Sequence, residues 1–350
     1  MGSLPKLSYV LLSHNREKYI RAAIESAFAQ EYEGELEYIF SDDCSTDRTY
    51  EIIQECVAAY KGNRKVIVTQ TPHNMHLAGN TNHAVQFATG DYVIRADDDD
   101  LSAVNRCAVI GRVVSEHPDC KCVFSFFESF TDEREDAVSR LSREPAPMNA
   151  PCRIIPQSAV KESIEAFETH NCLHQAWSID VYKTFGDLPL EGYYIDDVMC
   201  HFRAIAQGST AVIPGVLAYI RRGSDNMSTG AVNGRRGYSA IVQLERFLHK
   251  YHNTVVSPYK ETLQHLAIYA NSHSSSSLWY PALENYIKSL LYQNEQMSSY
   301  WSSSTMQRLR IRKCLNYKGV FSLLRCLPLP IYAFVLATYR WLKNMINRSR

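Results

Sequence analysis

Four consecutive carboxylates, Asp97 to Asp100, are the side chains of this sequence best suited to chemistry. They follow the run Tyr92–Ile94, whose apolar, β-prone residues predict a buried strand. Adjacent carboxylates repel one another by about 1 kcal/mol or more per close pair, so a fold either exposes them to water or places a cation among them. Alternation along a strand would direct Asp97 and Asp99 to one side as a D-x-D site for Mg²⁺ or Mn²⁺, with Asp98 pointing away. The alternative is a solvated turn that caps the following helix.

The chain before these carboxylates alternates between strand and helix patterns. Leu7–Leu12, Leu36–Phe40 and Val66–Thr69 are apolar runs that are typical of strands, and amphipathic segments separate them. The order β-α-β-α-β-α-β predicts right-handed crossovers and a mostly parallel sheet. Because such sheets bind ligands beyond the carboxyl ends of their strands, the polar residues at those ends are the candidate site.

Polar groups follow the first two predicted strands. Ser13, His14 and Asn15 come after the first strand, and Asp42 and Asp43 end the second. An imidazole can bond to or stack on a nucleobase, and a carboxylate can accept a hydrogen bond from a base N–H. The alternative for the second group is that it only organises the turn. No glycine-rich phosphate loop occurs in the sequence, so a nucleotide would be held by metal and side chains.

A second acidic pair, Asp196-Asp197, lies at the start of a predicted helix over Ile195–Gln207. One interpretation is a helix N-terminus whose carboxylates are favoured by the helix dipole. The other is a general base that takes a proton from a sugar hydroxyl. The pattern itself leaves both interpretations open.

The remaining segments predict further elements around this core. We expect a helix at Ala103–Glu116 and strands at Cys122–Phe127, Ala176–Val181 (at a sheet edge) and Thr210–Tyr219. Thr131–Pro151 is charged and Pro-rich without periodicity, which predicts a mobile loop. Gly223–Gly237 predicts a second flexible segment, and the pattern from Tyr238 onward is helical.

The composition is that of an ordinary globular protein, with 350 residues and 45% hydrophobic side chains. A net charge of zero gives no case for nucleic acid as a partner. Residues 296–350, however, hold ten Lys and Arg and no Asp or Glu. Their uncharged run Cys326–Tyr339 has 14 residues, fewer than the ~20 that span a bilayer. It predicts an interfacial segment on an anionic membrane, with a helix packed on the domain as the alternative.

The ten cysteines show neither a disulfide framework nor metal-binding spacing, and the N-terminus lacks the apolar region of a secretory signal. Both features favour free thiols in a reducing compartment. We therefore expect a cytoplasmic protein that binds peripherally to the inner face of the cell membrane through its basic tail.

In combination and in this order, the motifs resemble those of the family 2 glycosyltransferases, which are inverting enzymes of the GT-A fold. The resemblance rests on Ser13–Arg16, Ala29–Tyr32, Asp42–Thr49, Asn74, Asn82–Ala84, Ala88–Tyr92, Asp97–Asp100, Asp196–Gly208 and Tyr219–Ser228. Five positions depart from the family pattern. Cys44 and His76 stand where the family has glycine, His14 replaces Tyr, Asp196 replaces Glu, and Arg222 replaces His.

The resemblance implies a fold and a role for each candidate residue. The fold class is α/β: a Rossmann-like GT-A domain over residues 1–230, with a mostly parallel sheet flanked by helices, and a helical C-terminal region over residues 231–350. Asp197 would be the catalytic base, with Asp196 beside it. Asp97 and Asp99 would hold Mn²⁺ or Mg²⁺. The donor would contact Ser13, His14, Asn15, Asp42, Asp43, Asn82, Asp97 and Asp98, and the acceptor would contact Arg222 and His174.

These implied roles predict a metal-dependent inverting glycosyltransferase. It would move a sugar from a nucleotide-sugar, with a UDP-sugar favoured, to a hydroxyl of a saccharide or lipid-linked acceptor in cell-surface polysaccharide synthesis. A metal-dependent nucleotidyltransferase and a non-catalytic carbohydrate-binding scaffold are the alternatives. The missing phosphate loop argues against the first alternative, and the complete set of carboxylates argues against the second.

Overall fold

The computed structural model describes residues 4–148, 151–169, 175–190, 196–222, 248, 250–300 and 303–315. The chain divides into two compact units, one of Met1–Arg221 with Glu261–Glu284 and one of Arg222–Lys260 with Asn285–Arg350. His174, the predicted flexible segment 223–237 and the basic tail from residue 316 onward lie outside the described residues. The predicted domain boundary at residue 230 stays a prediction.

Four parallel strands form the first half of the sheet. They are β1 (Leu7–Ser13), β2 (Leu36–Asp42), β3 (Val66–Gln70) and β4 (Tyr92–Asp97). They lie in the order β3-β2-β1-β4, and each neighbouring pair is parallel. All residues of β1 and β2 are buried, as the continuous apolar runs predicted for strands covered on both faces.

The second half of the sheet is mixed. It contains β5 (Leu101–Ser102), β6 (Cys120–Phe130), β7 (Arg153–Ile155), β8 (Ala176–Ser178) and β9 (Ser209–Arg221). Strand β8 lies between β4 and β6 and is antiparallel to both, while β6 and β9 run parallel. The predicted edge strand at Ala176–Val181 is therefore wrong in two respects. It is an interior strand, and it ends at Ser178 because a helix begins at Asp180.

Helices cover the sheet. In the first unit they are α1 (Ile20–Phe28), α2 (Thr49–Ala59), α3 (His76–Val85), α4 (Arg106–Glu116), α5 (Glu135–Leu141), α6 (Val160–Thr169), α7 (Asp180–Lys183) and α8 (Asp196–Gln207). Helix α3 packs on β1 and β2, and α8 packs on β6, β8 and β9. Further along the chain come α9 (Val256–Asn271), α10 (Tyr280–Ser298) and α11 (Thr305–Cys314), which confirms the predicted helical C-terminal region within the described part.

The segment Thr131–Pro151, which the sequence predicted to be a mobile loop, is partly helical. A 3₁₀ turn at Asp132–Arg134 leads directly into α5. Val138 of α5 is fully buried and packs with Phe130 and Tyr219. With seven residues α5 is too short to show a clear hydrophobic period, so the helix could not be recognised from hydrophobic spacing.

The main hydrophobic core lies on one face of the sheet. Residues of β1 such as Tyr9 and Leu11 meet Ile24 of α1 and Ile110 of α4 there. The alternate residues of the strands face the opposite side, where α3 and α8 pack. Within the described residues, no helix is long and apolar enough to cross a membrane. The seven cysteines whose side chains the structure describes are free thiols.

Candidate active site

The ends of three neighbouring strands lie in register at one edge of the sheet. Ser13 at the end of β1 pairs with Asp42 at the end of β2, and Leu12 pairs with Asp97 at the end of β4. The polar groups that follow these strands are therefore brought together, as expected for the carboxyl edge of a parallel sheet. This edge is the frame of the candidate site.

The carboxylates of Asp42 and Asp43 are engaged in the turns that follow β2 and β3. Asp42 accepts hydrogen bonds from the Ser45 hydroxyl and backbone N–H at 2.5 and 2.9 Å and from Gln70 Nε2 at 2.8 Å. Asp43 Oδ1 accepts from the Met75 N–H at 2.7 Å and from a threonine hydroxyl. Both side chains are almost fully buried. These contacts give both residues a turn-organising function, and their predicted contact with a nucleobase stays a prediction.

The imidazole of His14 is held in one orientation. Its Nδ1 donates to the carbonyl oxygen of Asp43 at 2.8 Å, and its Nε2 accepts from Asn74 Nδ2 at 3.0 Å and Asn15 Nδ2 at 3.1 Å. The backbone N–H of His14 donates to Asp98 Oδ2 at 2.8 Å. His14 thus links the ends of β1, β2 and β4, and its ring lies half-buried beside them.

Three residues around these strand ends have left-handed backbone conformations. Asn15, Cys44 and His76 have φ of 53°, 53° and 59° and are the described non-glycine residues with positive φ. Two of them, Cys44 and His76, stand where the family pattern has glycine. The loops therefore keep the backbone shape that glycine favours, although a side chain opposes it. Such strained positions cluster at functional sites.

The four aspartates at the end of β4 do not continue the alternation of a strand. The strand ends at Asp97, and Asp98 and Asp99 lie in a turn. Both of these carboxylates lie 3.7 Å from Nε of Arg16. The expectation that Asp98 points away is wrong, since its carboxylate accepts the His14 N–H. The pairing of Asp97 with Asp99 on a metal stays a prediction, now without the support of strand geometry.

The last residue of β9 fastens the end of the acidic cluster. Arg221 donates from its backbone N–H to Asp100 Oδ1 at 2.6 Å and from Nε to the carbonyl oxygen of Asp99 at 2.9 Å. Its Nη1 donates to Asp132 and Glu135 at 3.0 and 3.1 Å. The guanidinium is buried between two aromatic rings. Arg221 therefore ties the acidic turn to the segment that contains α5.

The acidic cluster has the chemistry of a divalent-cation site. Burial raises the pKa of Asp98 well above its usual range and that of Asp99 to about 7, and neighbouring carboxylates add to both shifts. A cation would offset the excess negative charge. Among the described residues, however, no three His, Cys, Asp or Glu side chains form a group that could hold a metal. The cluster fits a cation that takes one or two carboxylates and completes its shell with phosphate oxygens.

A buried arginine of β4 connects the acidic cluster to the second acidic pair. Arg95 Nη1 lies 2.5 Å from Asp196 Oδ2, and its Nη2 lies 3.7 Å from Asp97 Oδ1. Arg106 of α4 donates a hydrogen bond to the carbonyl oxygen of Arg95 at 2.8 Å and so holds the end of β4 in place. The two acidic motifs, about 100 residues apart in sequence, therefore share one cation.

Asp197 lies next to this ion pair at the N-terminus of α8. It is 5% exposed, and its Oδ1 accepts the N–H of Val198 at 2.8 Å. Burial raises the pKa of Asp197 to about 7, the charge of Asp196 raises it further, and Arg95 opposes the rise. A carboxylate with a pKa near 7 can take up a proton at neutral pH, which suits a general base.

The other predicted contact residues have separate surroundings. The side-chain amide of Asn82 donates to the carbonyl oxygen of Leu188 at 2.9 Å and accepts a hydrogen bond from the Leu188 N–H at 2.8 Å. It therefore binds the backbone of Leu188 to α3. Ser13 is buried, and its hydroxyl donates to the carbonyl oxygen of the second strand at 3.3 Å. Arg222 is exposed directly after β9 and belongs to the second unit. The predicted substrate contacts of these residues stay predictions.

Sequence reasoning missed the three arginines that organise the site. Arg95 interrupts an otherwise apolar strand, and an unpaired charge in a buried strand is a signal that a carboxylate partner lies nearby. The sequence contains no comparable sign that Arg106 and Arg221 are buried. A long side chain on a helix, like Arg106, or at the end of a strand, like Arg221, can also extend into water.

Comparison with known proteins is consistent with this geometry. Residues 8–171 match "Glycosyl transferase family 2". Over 106 residues, 30% of this chain and 37% of the relative, the sequence is 41% identical to the putative glycosyltransferase EpsE of Bacillus subtilis (strain 168). Over 114 residues, 32% of this chain and 19% of the relative, it is 33% identical to the poly(ribitol-phosphate) beta-N-acetylglucosaminyltransferase TarS of Staphylococcus aureus (strain Mu50 / ATCC 700699). The chain thus matches well under half the length of these two relatives.

The fold is also similar to a solved structure. The crystal structure of S. aureus TarS 1-349 in complex with UDP-GlcNAc superposes with a TM-score of 0.52 at 17% identity, over 96% of this chain and 92% of that chain. At this identity the likeness concerns the fold. The match of residues 8–171 to glycosyl transferase family 2 and the likeness in fold therefore confirm the predicted family and fold class.

Proposed function

We propose that this protein transfers a sugar from a nucleotide-sugar, with a UDP-sugar favoured, to a hydroxyl of a saccharide or lipid-linked acceptor. The observation that carries the proposal is the sharing of Arg95 between Asp97 at the end of β4 and Asp196 at the start of α8. It supports the proposal because Asp97, the carboxylate proposed to bind the donor, and Asp196, the neighbour of the proposed base, both lie beside one buried guanidinium. TarS, whose name gives it N-acetylglucosaminyl transfer in a ribitol-phosphate polymer and which has been solved with UDP-GlcNAc, supports a UDP-sugar donor and cell-surface polymer synthesis.

The reaction would be a single displacement that inverts the anomeric centre. Asp197 takes the proton of the acceptor hydroxyl, whose oxygen then forms a bond to the anomeric carbon. The bond from that carbon to the diphosphate oxygen breaks on the opposite face, and the nucleoside diphosphate leaves with the electron pair. Arg95 pairs with Asp196 and holds it in place, so that Asp197 lies at a fixed helix N-terminus.

Mn²⁺ or Mg²⁺ is proposed as the cofactor, held by Asp97 and Asp99 together with donor phosphates. When bound, the cation supplies charge neutralisation for the leaving diphosphate. The support from this chain is the buried, partly uncompensated charge of the acidic turn. His14 and Asn15, which lie against that turn, are the proposed neighbours of the nucleobase.

The decisive experiment replaces the proposed base. Asp197→Asn should lower nucleotide-sugar turnover, measured as UDP release, by about 10²–10⁴-fold, which is the usual contribution of general base catalysis. The Kd for UDP should stay within about twofold of the wild-type value, which corresponds to well under 1 kcal/mol of binding free energy. Asp119→Asn, at an exposed position on the far end of β6, is the matched control. Near wild-type UDP release by Asp197→Asn would exclude Asp197 as the base.

The products also separate this proposal from nucleotidyl transfer. A glycosyltransferase breaks the bond between the sugar and the diphosphate and releases UDP or GDP. A nucleotidyltransferase breaks the bond between the two phosphates, so that with pyrophosphate it converts a nucleotide-sugar into a nucleoside triphosphate and a sugar 1-phosphate. A carbohydrate-binding scaffold would release neither product. Chromatography of reactions with UDP-GlcNAc and Mn²⁺, with and without added pyrophosphate, therefore distinguishes the three classes.

Peripheral attachment to the inner face of the cell membrane is proposed from the basic, apolar tail, whose residues from 316 onward lie outside the described part. Ten cationic side chains without an acidic one would be attracted to anionic lipid at about 1 kcal/mol for each residue near the surface. The test is flotation with vesicles that contain phosphatidylglycerol. A chain truncated after Lys318 should stay at the bottom of the gradient, and equal flotation of both forms would contradict the proposal.

A further inference from the structure

Gln175 is a buried polar side chain without a hydrogen bond to any described residue. Only 1% of the residue is exposed, and among the residues that the structure describes neither Oε1 nor Nε2 of its amide has a partner. Buried amides in folded proteins are almost always hydrogen-bonded, because burial removes them from water without compensation. An amide of this kind that faces a substrate site is therefore a candidate for binding the substrate.

The register of the sheet places Gln175 beside the candidate site. Ala176 of β8 pairs with Ile94 of β4, and the backbone N–H of Arg95 donates to the carbonyl oxygen of Gln175 at 3.1 Å. Gln175, which immediately precedes β8, thus lies directly opposite Arg95 of the antiparallel strand β4. Directly opposed side chains extend from the same face of a sheet with their Cβ atoms about 4.5–5.5 Å apart. The amide therefore shares the face on which Arg95 reaches Asp196.

This face carries further polar atoms without a hydrogen bond to a described residue. They are Nε and Nη2 of Arg95 and Oδ1 of Asp196, both nearly inaccessible side chains. The set contains donors on Arg95, an acceptor on Asp196 and one of each on Gln175. A phosphate, which only accepts, would meet the acceptor oxygens unfavourably. A hydroxyl both donates and accepts, so a polyhydroxylated ring is the ligand whose chemistry matches this set.

We propose that the side-chain amide of Gln175 binds a hydroxyl of the sugar carried by the nucleotide donor and helps to determine which sugar is accepted. The inference rests on the proposed function. In that function the transferred sugar lies between the diphosphate, near Asp97, and the base, Asp197. Arg95 spans these two sides, and Gln175 is its direct neighbour on the sheet. In that arrangement the amide of Gln175 lies beside the transferred sugar.

The experiment compares binding of the nucleotide with binding of the nucleotide-sugar. A thermal-shift panel of UDP-GlcNAc, UDP-glucose, UDP-galactose and GDP-mannose first identifies the donor that stabilises the wild-type protein most. Gln175→Met keeps the length of the side chain and removes its hydrogen-bonding atoms. We expect calorimetry to give a Kd about tenfold higher for that nucleotide-sugar, which corresponds to one lost hydrogen bond, and an unchanged Kd for its nucleoside diphosphate. The melting temperature should be equal to that of the wild type or higher, because an unpaired buried amide is removed.

Gln30→Met is the matched control, since Gln30 is a buried glutamine whose amide is fully engaged. Its Nε2 donates to the carbonyl oxygen of Ala103 at 2.8 Å, and its Oε1 accepts the N–H of Cys107 at 3.0 Å. This control should lower the melting temperature and leave both Kd values unchanged. A second variant, Gln175→Asn, retains the amide but withdraws it by one methylene, and should change the order of preference among the sugars.

The outcomes separate the two levels of the proposal. If no nucleotide-sugar stabilises the wild-type protein, the proposed function fails and the role of Gln175 fails with it. If a donor binds but Gln175→Met retains the wild-type Kd for it, the role of Gln175 alone is overturned, as expected for an amide bonded to water. Equal weakening of nucleoside diphosphate and nucleotide-sugar would assign Gln175 a structural role and would also overturn the proposal.

Discussion

Arg95 Nη1 and Asp196 Oδ2 form an ion pair of 2.5 Å in which both side chains are buried, and this pair joins the end of β4 to the N-terminus of α8. A buried charge that loses its partner is strongly destabilising, so each residue fixes the position of the other. Because Asp97 follows Arg95 by two residues and Asp197 follows Asp196 by one, the pair also sets the relative position of the two proposed functional carboxylates.

Replacement of Arg95 by Met should lower the free energy of unfolding by about 3–5 kcal/mol, because Asp196 is left buried without its counter-charge. UDP release should fall below detection, because the pair that sets the relative position of Asp97 and Asp197 is lost. Urea unfolding and a coupled UDP assay measure the two effects. The double variant Arg95→Met with Asp196→Leu should recover much of the stability and none of the activity. A double variant no more stable than Arg95→Met would show that the two residues are not energetically coupled.

The rate of sugar transfer should rise with pH through about 7. The base must be deprotonated to act, and burial raises the pKa of Asp197 to about 7, above the ~3.9 of an exposed aspartate. The plot of log kcat/KM against pH should therefore have a slope near one below neutrality and level off above it. Asp197→Glu tests the assignment, since a changed base should displace the inflection. An inflection that the substitution leaves in place would belong to another group.

The stability of the metal-free protein should fall as the pH rises from 5 to 8. Burial raises the pKa values of Asp98, Asp99 and Asp197, so the folded state holds protons that the unfolded chain has released. The stabilising contribution is complete below about pH 4 and is lost as the pH rises through the folded-state values. At about 1.4 kcal/mol for each pKa unit, a single carboxylate with a folded-state pKa of about 7 should cost about 3 kcal/mol of stability between pH 5 and pH 7.

Added Mn²⁺ should counteract this loss, since a cation on the acidic turn stabilises the ionised carboxylates. The melting temperature should therefore rise more with Mn²⁺ at pH 8 than at pH 5. Asp99→Asn should reduce both the pH dependence and the metal effect, whereas Asp119→Asn, which is exposed, should change neither. A stability that is flat between pH 5 and 8 without metal would contradict the raised pKa values.

The sheet edge at which the candidate site lies could be predicted from the sequence. Apolar runs of β1 to β4 predict buried parallel strands, and in such a sheet the strand ends must meet at one edge. Ser13 accordingly pairs with Asp42, and the preceding residue of β1, Leu12, pairs with Asp97. Hydrophobic periodicity does not predict ion pairs between residues that are distant in sequence, such as Arg95 and Asp196. These depend on how α8 packs on the sheet, which no local pattern encodes.

Two errors have the same origin. Asp97 and Asp99 were expected to point to the same side of a continuing strand, but the strand ends at Asp97 and Asp98 accepts the His14 N–H. Thr131–Pro151 was expected to be mobile, but Arg221 pairs with Asp132 and a neighbouring glutamate and holds the segment as a turn and helix. In both cases a tertiary contact to an otherwise unremarkable polar residue decides the local conformation.

Glycine at position 44 or 76 should stabilise this protein, although glycine destabilises most positions. Cys44 and His76 have φ of 53° and 59°, a left-handed conformation that costs a residue with a Cβ atom about 1–2 kcal/mol. Glycine relieves this strain but adds backbone entropy to the unfolded state, worth roughly 0.5–1 kcal/mol, so each of Cys44→Gly and His76→Gly should gain up to about 1 kcal/mol. Alanine at the same positions is the control, because it keeps the Cβ atom and hence the strain. If Cys44→Ala were as stable in urea as Cys44→Gly, the loop would not be strained, and the glycine of the family pattern would need another explanation than backbone conformation.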